Sequence, residues 1–149
     1  MNETIEEQLR RHELELASIP KRAVAFVIDE FLLSTLFMVM VWESISQAKD
    51  FESFLFVTNA YALEYMGIKI LYQTIFVSLY GATLGKMAMR IRVAAVENGE
   101  TPGWVASFNR AVFRIISEII FYLGFIWAMF DPFNQAWHDR TARTVVVNA

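Results

Sequence analysis

The chain has 149 residues, of which 56% are hydrophobic, 15% aromatic and 19% charged, and its formal net charge is −3. An average globular chain is about 45–50% apolar and about 25% charged, so this composition argues against an ordinary water-soluble domain and indicates a protein of the lipid bilayer. The acidic balance disfavours a nucleic-acid partner, because phosphate binding needs a clustered basic surface. Because the sequence contains no cysteine, disulfides, thiolate catalysis and cysteine-ligated metals are excluded.

Residues 1–18 form a charged head that precedes the long apolar stretches and carries the whole net charge of the chain. Its acidic character is unlike a secretory signal. Ile5, Leu9 and Leu16 recur near helical spacing. The head is therefore expected to be either an amphipathic helix on a membrane or partner surface, or a solvated tail.

Residues 19–149 are predicted to form one membrane domain with three spans, at about 23–42, 66–85 and 111–130. Twenty residues at about 1.5 Å each cover the roughly 30 Å of hydrocarbon in a bilayer. The third span is the weakest, because Arg114 and Glu118 interrupt it. The fold class is an all-α membrane protein with three transmembrane helices and a small cytoplasmic strand-containing region.

The segment 86–114 contains five basic and two acidic residues, which places it in the cytoplasm by the positive-inside rule. Residues 90–96 read as a strand that ends in an Asn-Gly turn, and residues 143–147 are also β-prone. Three full crossings would put the amino terminus inside and the carboxyl terminus outside, whereas pairing of the two strands needs both inside. We favour three crossings; the alternative is that residues 104–130 lie in the interface or dip in and return near Gly124.

Ionisable residues inside or beside the predicted spans are the sharpest feature of the sequence. Asp29 and Glu30 lie about 10–12 Å beyond Arg22 along the first helix, and each ionised acid costs about 2.5–3.5 kcal/mol at a helix centre. We expect Asp29 to be covered by protein and neutralised by a basic group; the alternative to a role in passing ions or protons is that Asp29 binds an arginine or helix-end amides only to fix the bundle. The candidate intramembrane polar and ion-pair residues are Arg22, Asp29, Glu30, Lys69, Arg114 and Glu118; of these Arg114 and Glu118 continue an i, i+4 ladder from Arg110.

Three separated motifs occur in a fixed order along residues 19–147. Residues 20–29 contain Arg22 and Asp29, residues 81–86 contain a GxxxG pattern followed by lysine, and residues 135–140 contain a His-Asp pair. Together they resemble the RDD family of small bacterial membrane proteins, which is named for an arginine and two aspartates. The positions that carry the resemblance are Arg22, Asp29, Gly81, Gly85, Lys86, His138 and Asp139.

The resemblance implies a multi-pass protein of the bacterial inner membrane whose ligand is unassigned, with cation/proton exchange proposed for some members. We therefore expect a homo-oligomer that transports a monovalent cation, a proton or a small solute, with Arg22, Asp29 and Lys69 along the route. The alternative is a non-transporting scaffold or partner subunit whose buried charges fix helix packing. An enzyme is not expected, because no nucleophile elbow, P-loop, dinucleotide or zinc-protease motif occurs. No cofactor and no metal site are expected, since His12 and His138 lie far apart without companion ligands.

Overall fold

The structure is a computed structural model, and it describes residues 4–120 and 122–149. The described part of the chain is mostly helical, with a two-stranded sheet at one end. The elements in chain order are α1 (Ile5–Arg11), α2 (Ile19–Met40), α3 (Trp42–Ser46), α4 (Phe51–Ala60), α5 (Ala62–Tyr80), α6 (Leu84–Ala88), β1 (Ile91–Ala95), α7 (Trp104–Ile119), α8 (Leu123–Trp127), α9 (Trp137–Thr141) and β2 (Thr144–Asn148).

Two long helices occupy the first two predicted spans. Helix α2 has 22 residues, which at 1.5 Å each give a length of about 33 Å, and Pro20 lies in its first turn, where its missing N–H costs nothing. Within the described ranges, α2 is the one helix that is long and apolar enough to cross a membrane by length and composition. Helix α5 ends at Tyr80, because Gly81 takes a left-handed conformation (φ 71°) that closes the helix before the predicted end of the second span.

The predicted third span, 111–130, is broken into two helices. Helix α7 begins at Trp104 and ends at Ile119, and Tyr122 takes a left-handed conformation (φ 61°) before α8 begins. Gly124 permits the turn to pack tightly, because a Cβ there would lie 2.1 Å from Ser117 Oγ and 3.0 Å from the Trp137 ring. The break is thus made by packing between distant segments.

The sheet brings both ends of the chain to the same end of the molecule. Strands β1 and β2 pair antiparallel, in a register that places Val93 opposite Val146. The segment after α1 adds a bridge from Leu16 to Val147. This pairing favours the expectation in which both termini lie on one side of the membrane.

Residues 4–18 of the charged head pack on the sheet. Thr4 and Glu7 form a reciprocal capping box at the start of α1. The apolar face of the head packs on the outer face of the sheet, where the contacting residues are Ile5, Leu9, Leu14 and Leu16 against Ala94, Val145 and Val147. Residues 5–11 of the head thus form a helix that packs on the chain's own sheet; contact of the head with a membrane or partner surface stays a prediction.

The bundle is polar inside and apolar outside. On α7, Arg110 and Arg114 are only 4% and 5% exposed, whereas Val105 is 85% exposed. On α2, Asp29 is fully buried while Phe31 is 70% exposed. A water-soluble domain places these residue types the other way round, so this distribution is the one that a lipid environment favours.

Candidate functional site

Asp29 is held entirely by neutral donors. Its Oδ1 accepts from the Tyr72 hydroxyl at 2.7 Å and from the Gly85 amide at 2.8 Å, and its Oδ2 accepts from the Thr83 hydroxyl at 2.6 Å. The Tyr72 hydroxyl in turn accepts from the Leu84 amide at 3.0 Å. No lysine, arginine or histidine nitrogen of the described residues forms an ion pair with Asp29, so the expectation of a basic partner is wrong. Hydroxyls and an amide at the start of α6 stabilise the carboxylate instead.

Gly85 lets α6 reach the Asp29 carboxylate. A Cβ at this position would lie 2.1 Å from the Ala25 carbonyl oxygen and 2.8 Å from Asp29 Oδ1. The backbones of α2 and α6 are therefore in direct contact, which only glycine allows. Of the two glycines in the GxxxG pattern, Gly85 provides the close approach and Gly81 provides the turn that ends α5.

Asp139 connects the start of α2, helix α7 and the tail of the chain. Its carboxylate accepts from Arg22 at 2.6 Å, from Arg110, and from the Ala136 amide at 2.9 Å, and the side chain of Asp139 is fully buried. Burial alone raises the pKa of Asp139, but Arg22 and Arg110 outweigh that effect and hold the pKa well below its usual range. Two arginines and a backbone amide thus bind Asp139 where the tail folds back onto the bundle.

His138 lies beside this cluster as a neutral ring. It packs on Phe125, with 5.3 Å between ring centroids, and its Nε2 is 3.7 Å from Asp139 Oδ1. Burial lowers the pKa of His138 well below its usual range, although Asp139 opposes the shift. The imidazole is therefore uncharged at neutral pH.

Four further predicted residues form one network between α2, α5 and α7. Lys69 Nζ lies 3.0 Å from Glu30 Oε1 and 2.5 Å from Glu118 Oε2. Arg114 approaches the same two carboxylates, at 3.5 Å from Glu30 and 3.6 Å from Glu118. The guanidinium of Arg114 also lies over the Phe26 ring, 4.8 Å from its centroid. Two bases and two acids thus alternate around one centre.

A cavity of about 510 Å³ opens onto this network. Its lining mixes polar and apolar side chains, mainly of α2, α5 and α7. The lining includes Glu30, Ser34, Thr58, Tyr65, Lys69 and Glu118. Glu30 keeps 25% of its side chain exposed and Glu118 keeps 14%, so both carboxylates can be reached from the cavity.

Lys86 is a buried base that belongs neither to the Asp139 cluster nor to the network around Lys69. It is 9% exposed, and its Nζ makes no hydrogen bond or ion pair with any residue that the structure describes. The charges that act on its pKa are Arg114, Asp29, Arg110 and Arg22. The removal of the ammonium from water lowers the pKa of Lys86 to about 7, and Arg114 adds to that effect.

Several buried polar atoms along α5 and α7 have no protein partner within the described ranges. They include Gln73 Nε2, Ser107 Oγ, Arg110 Nε, Arg114 Nε and Ser117 Oγ. Buried polar atoms are costly unless they are hydrogen-bonded, and ordered water is the usual partner where protein offers none. The polar side of α7 is therefore suited to hold internal water.

Sequence reasoning places most of these residues but not all of their partners. It finds the acids, the lysine and the arginines of the network, because charges in an apolar run are conspicuous. It misses Tyr72 and Thr83 as donors to Asp29. The available signal is Thr83 itself, a helix-capping residue type at the start of the GxxxG segment.

A helical bundle with an apolar exterior, an ordered two-stranded sheet at one end and a charged interior is the architecture of a membrane protein. The family model described as "RDD family" matches residues 16–143, and the chain belongs to this family. A similar protein is the "Uncharacterized membrane protein YteJ" of Bacillus subtilis (strain 168), at 27% identity over 126 residues that cover 84% of this chain and 71% of that protein. No solved structure matches the chain.

Proposed function

We propose that this chain is a multi-pass transporter subunit of the bacterial inner membrane that exchanges a monovalent cation against protons. The observation that carries the proposal is the cavity that reaches Glu30, Lys69 and Glu118. Ionisable groups inside a membrane bundle are expensive, and they are usual on ion and proton pathways. Two reachable carboxylates beside one mobile amine suit a monovalent cation.

The proposed exchange uses Lys69 as an internal cation. The Lys69 ammonium is held at 2.5 Å by Glu118 and at 3.0 Å by Glu30, and in the proposed exchange its flexible aliphatic stem lets it leave the carboxylates when a cation binds there. A monovalent cation that replaces the ammonium between the carboxylates leaves the charge of the network unchanged. The carboxylate oxygens are hard ligands of the kind that alkali cations take.

Asp29 and Asp139 have a different role in this proposal. Asp29 accepts three hydrogen bonds from neutral donors and Asp139 is held by two arginines, so both are fixed in place. We assign them to holding α6 and α9 against the bundle. Arg22 is bound by Asp139 and therefore positions the tail instead of lining the route.

The proposal places the sheet end, with both termini, in the cytoplasm. The segment 86–114 is basic, and positive charge marks cytoplasmic loops. One protomer offers few long helices to enclose a path, so the proposal includes a homo-oligomer. No enzymatic chemistry is part of it.

The test is radiotracer sodium uptake into liposomes that contain the purified full-length chain, under an imposed proton gradient, with lithium and potassium tested in parallel. We expect uptake by the wild-type chain and at least a tenfold loss in Glu118→Gln and in Glu30→Gln. Glu97→Gln is the matched control, because Glu97 is exposed and lies away from the cavity.

Two outcomes would contradict the proposal. Absence of wild-type flux for all three cations would reject transport and favour the second candidate, a scaffold in which the buried charges only fix helix packing. That candidate is favoured by the complete satisfaction of Asp29 and Asp139. Wild-type flux that both glutamine variants retain would show that the cavity is not on the path.

A further inference from the structure

The buried and half-buried charges between the helices, Lys86 apart, are four acids and four bases. The acids are Asp29, Glu30, Glu118 and Asp139 and the bases are Arg22, Lys69, Arg110 and Arg114; all of them except Asp29, which binds neutral donors, take part in ion pairs. Lys86 is a fifth base, and among the described residues its Nζ has no ion-pair partner. The interior is therefore neutral with an uncharged Lys86 amine and carries one excess positive charge with an ammonium.

The groups that face Lys86 make an uncharged amine accessible near neutral pH. Helix α2 contributes Asp29 and Arg22, and α7 contributes Arg110 and Arg114. Asp29 is the only acid of this set, and its oxygens are already taken by Tyr72, Thr83 and Gly85. Strand β1, which also packs on α6, brings Arg92, but this guanidinium donates to the Gly99 carbonyl.

We propose that the Lys86 amine is the proton-binding site of this interior, where one proton adds to the neutral nitrogen to give the ammonium. The inference rests on the proposed function, because it makes Lys86 the group that holds the exchanged proton. Desolvation and the three arginines lower the pKa of Lys86 to about 7. Because this value is close to neutral pH, both the amine and the ammonium are accessible there.

Coupling to the cation follows from the same charge balance. A cation that enters the cavity while Lys69 stays in the interior adds one positive charge, and protonation of Lys86 adds one as well. Arg114 connects the two places, since it approaches Glu30 and Glu118 and also acts on Lys86. Two excess charges in a medium of low dielectric repel each other strongly, so proton and cation exclude one another. Mutual exclusion is the requirement for exchange.

Proton binding is measured without any transport. The chain has four lysines, so carbon-13 labelling of lysine side chains gives few NMR signals for the purified full-length protein in detergent micelles. We expect one signal to titrate near pH 7, to vanish in Lys86→Met and to persist in Lys49→Met, an exposed control. We also expect sodium to shift this titration to lower pH relative to choline, and Glu118→Gln to remove the shift.

Coupled flux is the second readout. In liposomes, Lys86→Met is expected to lose at least tenfold of the sodium uptake driven by a proton gradient but to retain sodium-for-sodium exchange, because the cavity carboxylates are intact. Lys86→Arg, which keeps a fixed charge, is expected to lose both. Proton-driven uptake that Lys86→Met retains in full would overturn the inference.

The outcomes separate this inference from the proposed function. A lysine signal that titrates near pH 7 in a protein without any flux supports Lys86 as a proton site and rejects the proposed transport. Flux without such a signal supports transport and overturns the role of Lys86. A signal that stays in the ammonium position at all pH values and responds to chloride would make the site an anion site and would also overturn the inference.

Discussion

The contact between α6 and α2 gives a sharp prediction for Gly85→Ala. The new Cβ would lie 2.1 Å from the Ala25 carbonyl oxygen, whereas ordinary contact begins near 3.4 Å, so the two backbones must separate by about 1 Å. That movement stretches the hydrogen bond from the Gly85 amide to Asp29, which is 2.8 Å long. The substitution thus combines overpacking with the loss of a donor to a buried carboxylate.

The magnitude follows from these two effects. Overpacking costs about 1–3 kcal/mol, and a hydrogen bond to a charged group contributes about 1.5–3 kcal/mol. Alanine returns about 1 kcal/mol through its higher helix propensity. We expect Gly85→Ala to lower the free energy of unfolding by about 2–5 kcal/mol.

The assay is unfolding of the purified chain in mixed micelles with increasing dodecyl sulfate, followed by far-ultraviolet circular dichroism. Gly67→Ala is the matched control, because Gly67 lies within α5 and a Cβ there meets no atom within 4 Å. The control is expected to be at least as stable as the wild type, with a gain of up to about 1 kcal/mol in the free energy of unfolding. If Gly85→Ala is as stable as Gly67→Ala, the backbone contact between α2 and α6 is wrong.

Two further predictions concern Asp139 and are checked with the same unfolding assay, and a third concerns the two ends of the chain and is checked by chemical labelling. Asp139→Asn leaves two buried arginines without a counter-ion and is expected to cost about 3–5 kcal/mol; a cost below about 1 kcal/mol would refute the ion cluster. Because the pKa of Asp139 is lowered in the folded protein, the contribution of Asp139 to the free energy of unfolding is complete above the unfolded pKa of about 3.9 and is lost as the pH falls from there toward the folded pKa. The stability of the wild type should therefore fall more steeply than that of Asp139→Asn between about pH 4 and 2. Parallel curves for the two proteins would contradict this prediction. Single cysteines at Thr4 and Ala149 should react with an impermeant maleimide from the same side of the membrane, since the head packs on the sheet and Leu16 bridges Val147; labelling from opposite sides would reject the contact between the head and the sheet.

The long elements of the fold are predictable from local sequence. An apolar run that follows Pro20 is enough to locate α2. The Asn98-Gly99 turn locates β1, and a continuous run of β-branched residues at 144–147 locates β2. The resemblance to the RDD family is carried by short motifs, and the family match over residues 16–143 confirms it. These features depend on a few neighbouring residues, so one sequence is sufficient.

The break between α7 and α8 depends on distant packing. Tyr122 adopts φ 61° without glycine or proline at that position, which no local pattern announces. The conformation is enforced by Gly124 against Ser117 and Trp137. The residue types favour a continuous third span, which the structure does not confirm because α7 and α8 are separate helices; the break lies beside Gly124, near the turn of the alternative in which the segment dips in and returns.

The site residues, too, are only partly predictable from the sequence. Lys69, Glu30 and Glu118 are recognisable as an intramembrane group, because each is a charge in an apolar stretch. Tyr72 is not recognisable as a donor to Asp29, since tyrosine is common in such stretches, and Thr83 is marked only as a helix-capping residue type. A buried carboxylate can be satisfied by charge or by hydrogen bonds, and the sequence does not distinguish the two solutions.

In the bilayer, we expect the apolar faces of α2 and α7 to face acyl chains while the charged side chains lie inside the bundle. Single cysteines that carry a spin label at Phe31 and Ile119, which are 70% and 62% exposed, test it in liposomes. The measurement is the accessibility of each label to oxygen, which enriches in lipid, and to a water-soluble nickel chelate, with a label at the exposed Glu97 as the aqueous control. We predict high oxygen and low nickel accessibility at both positions. Nickel accessibility equal to that at Glu97 would contradict the account.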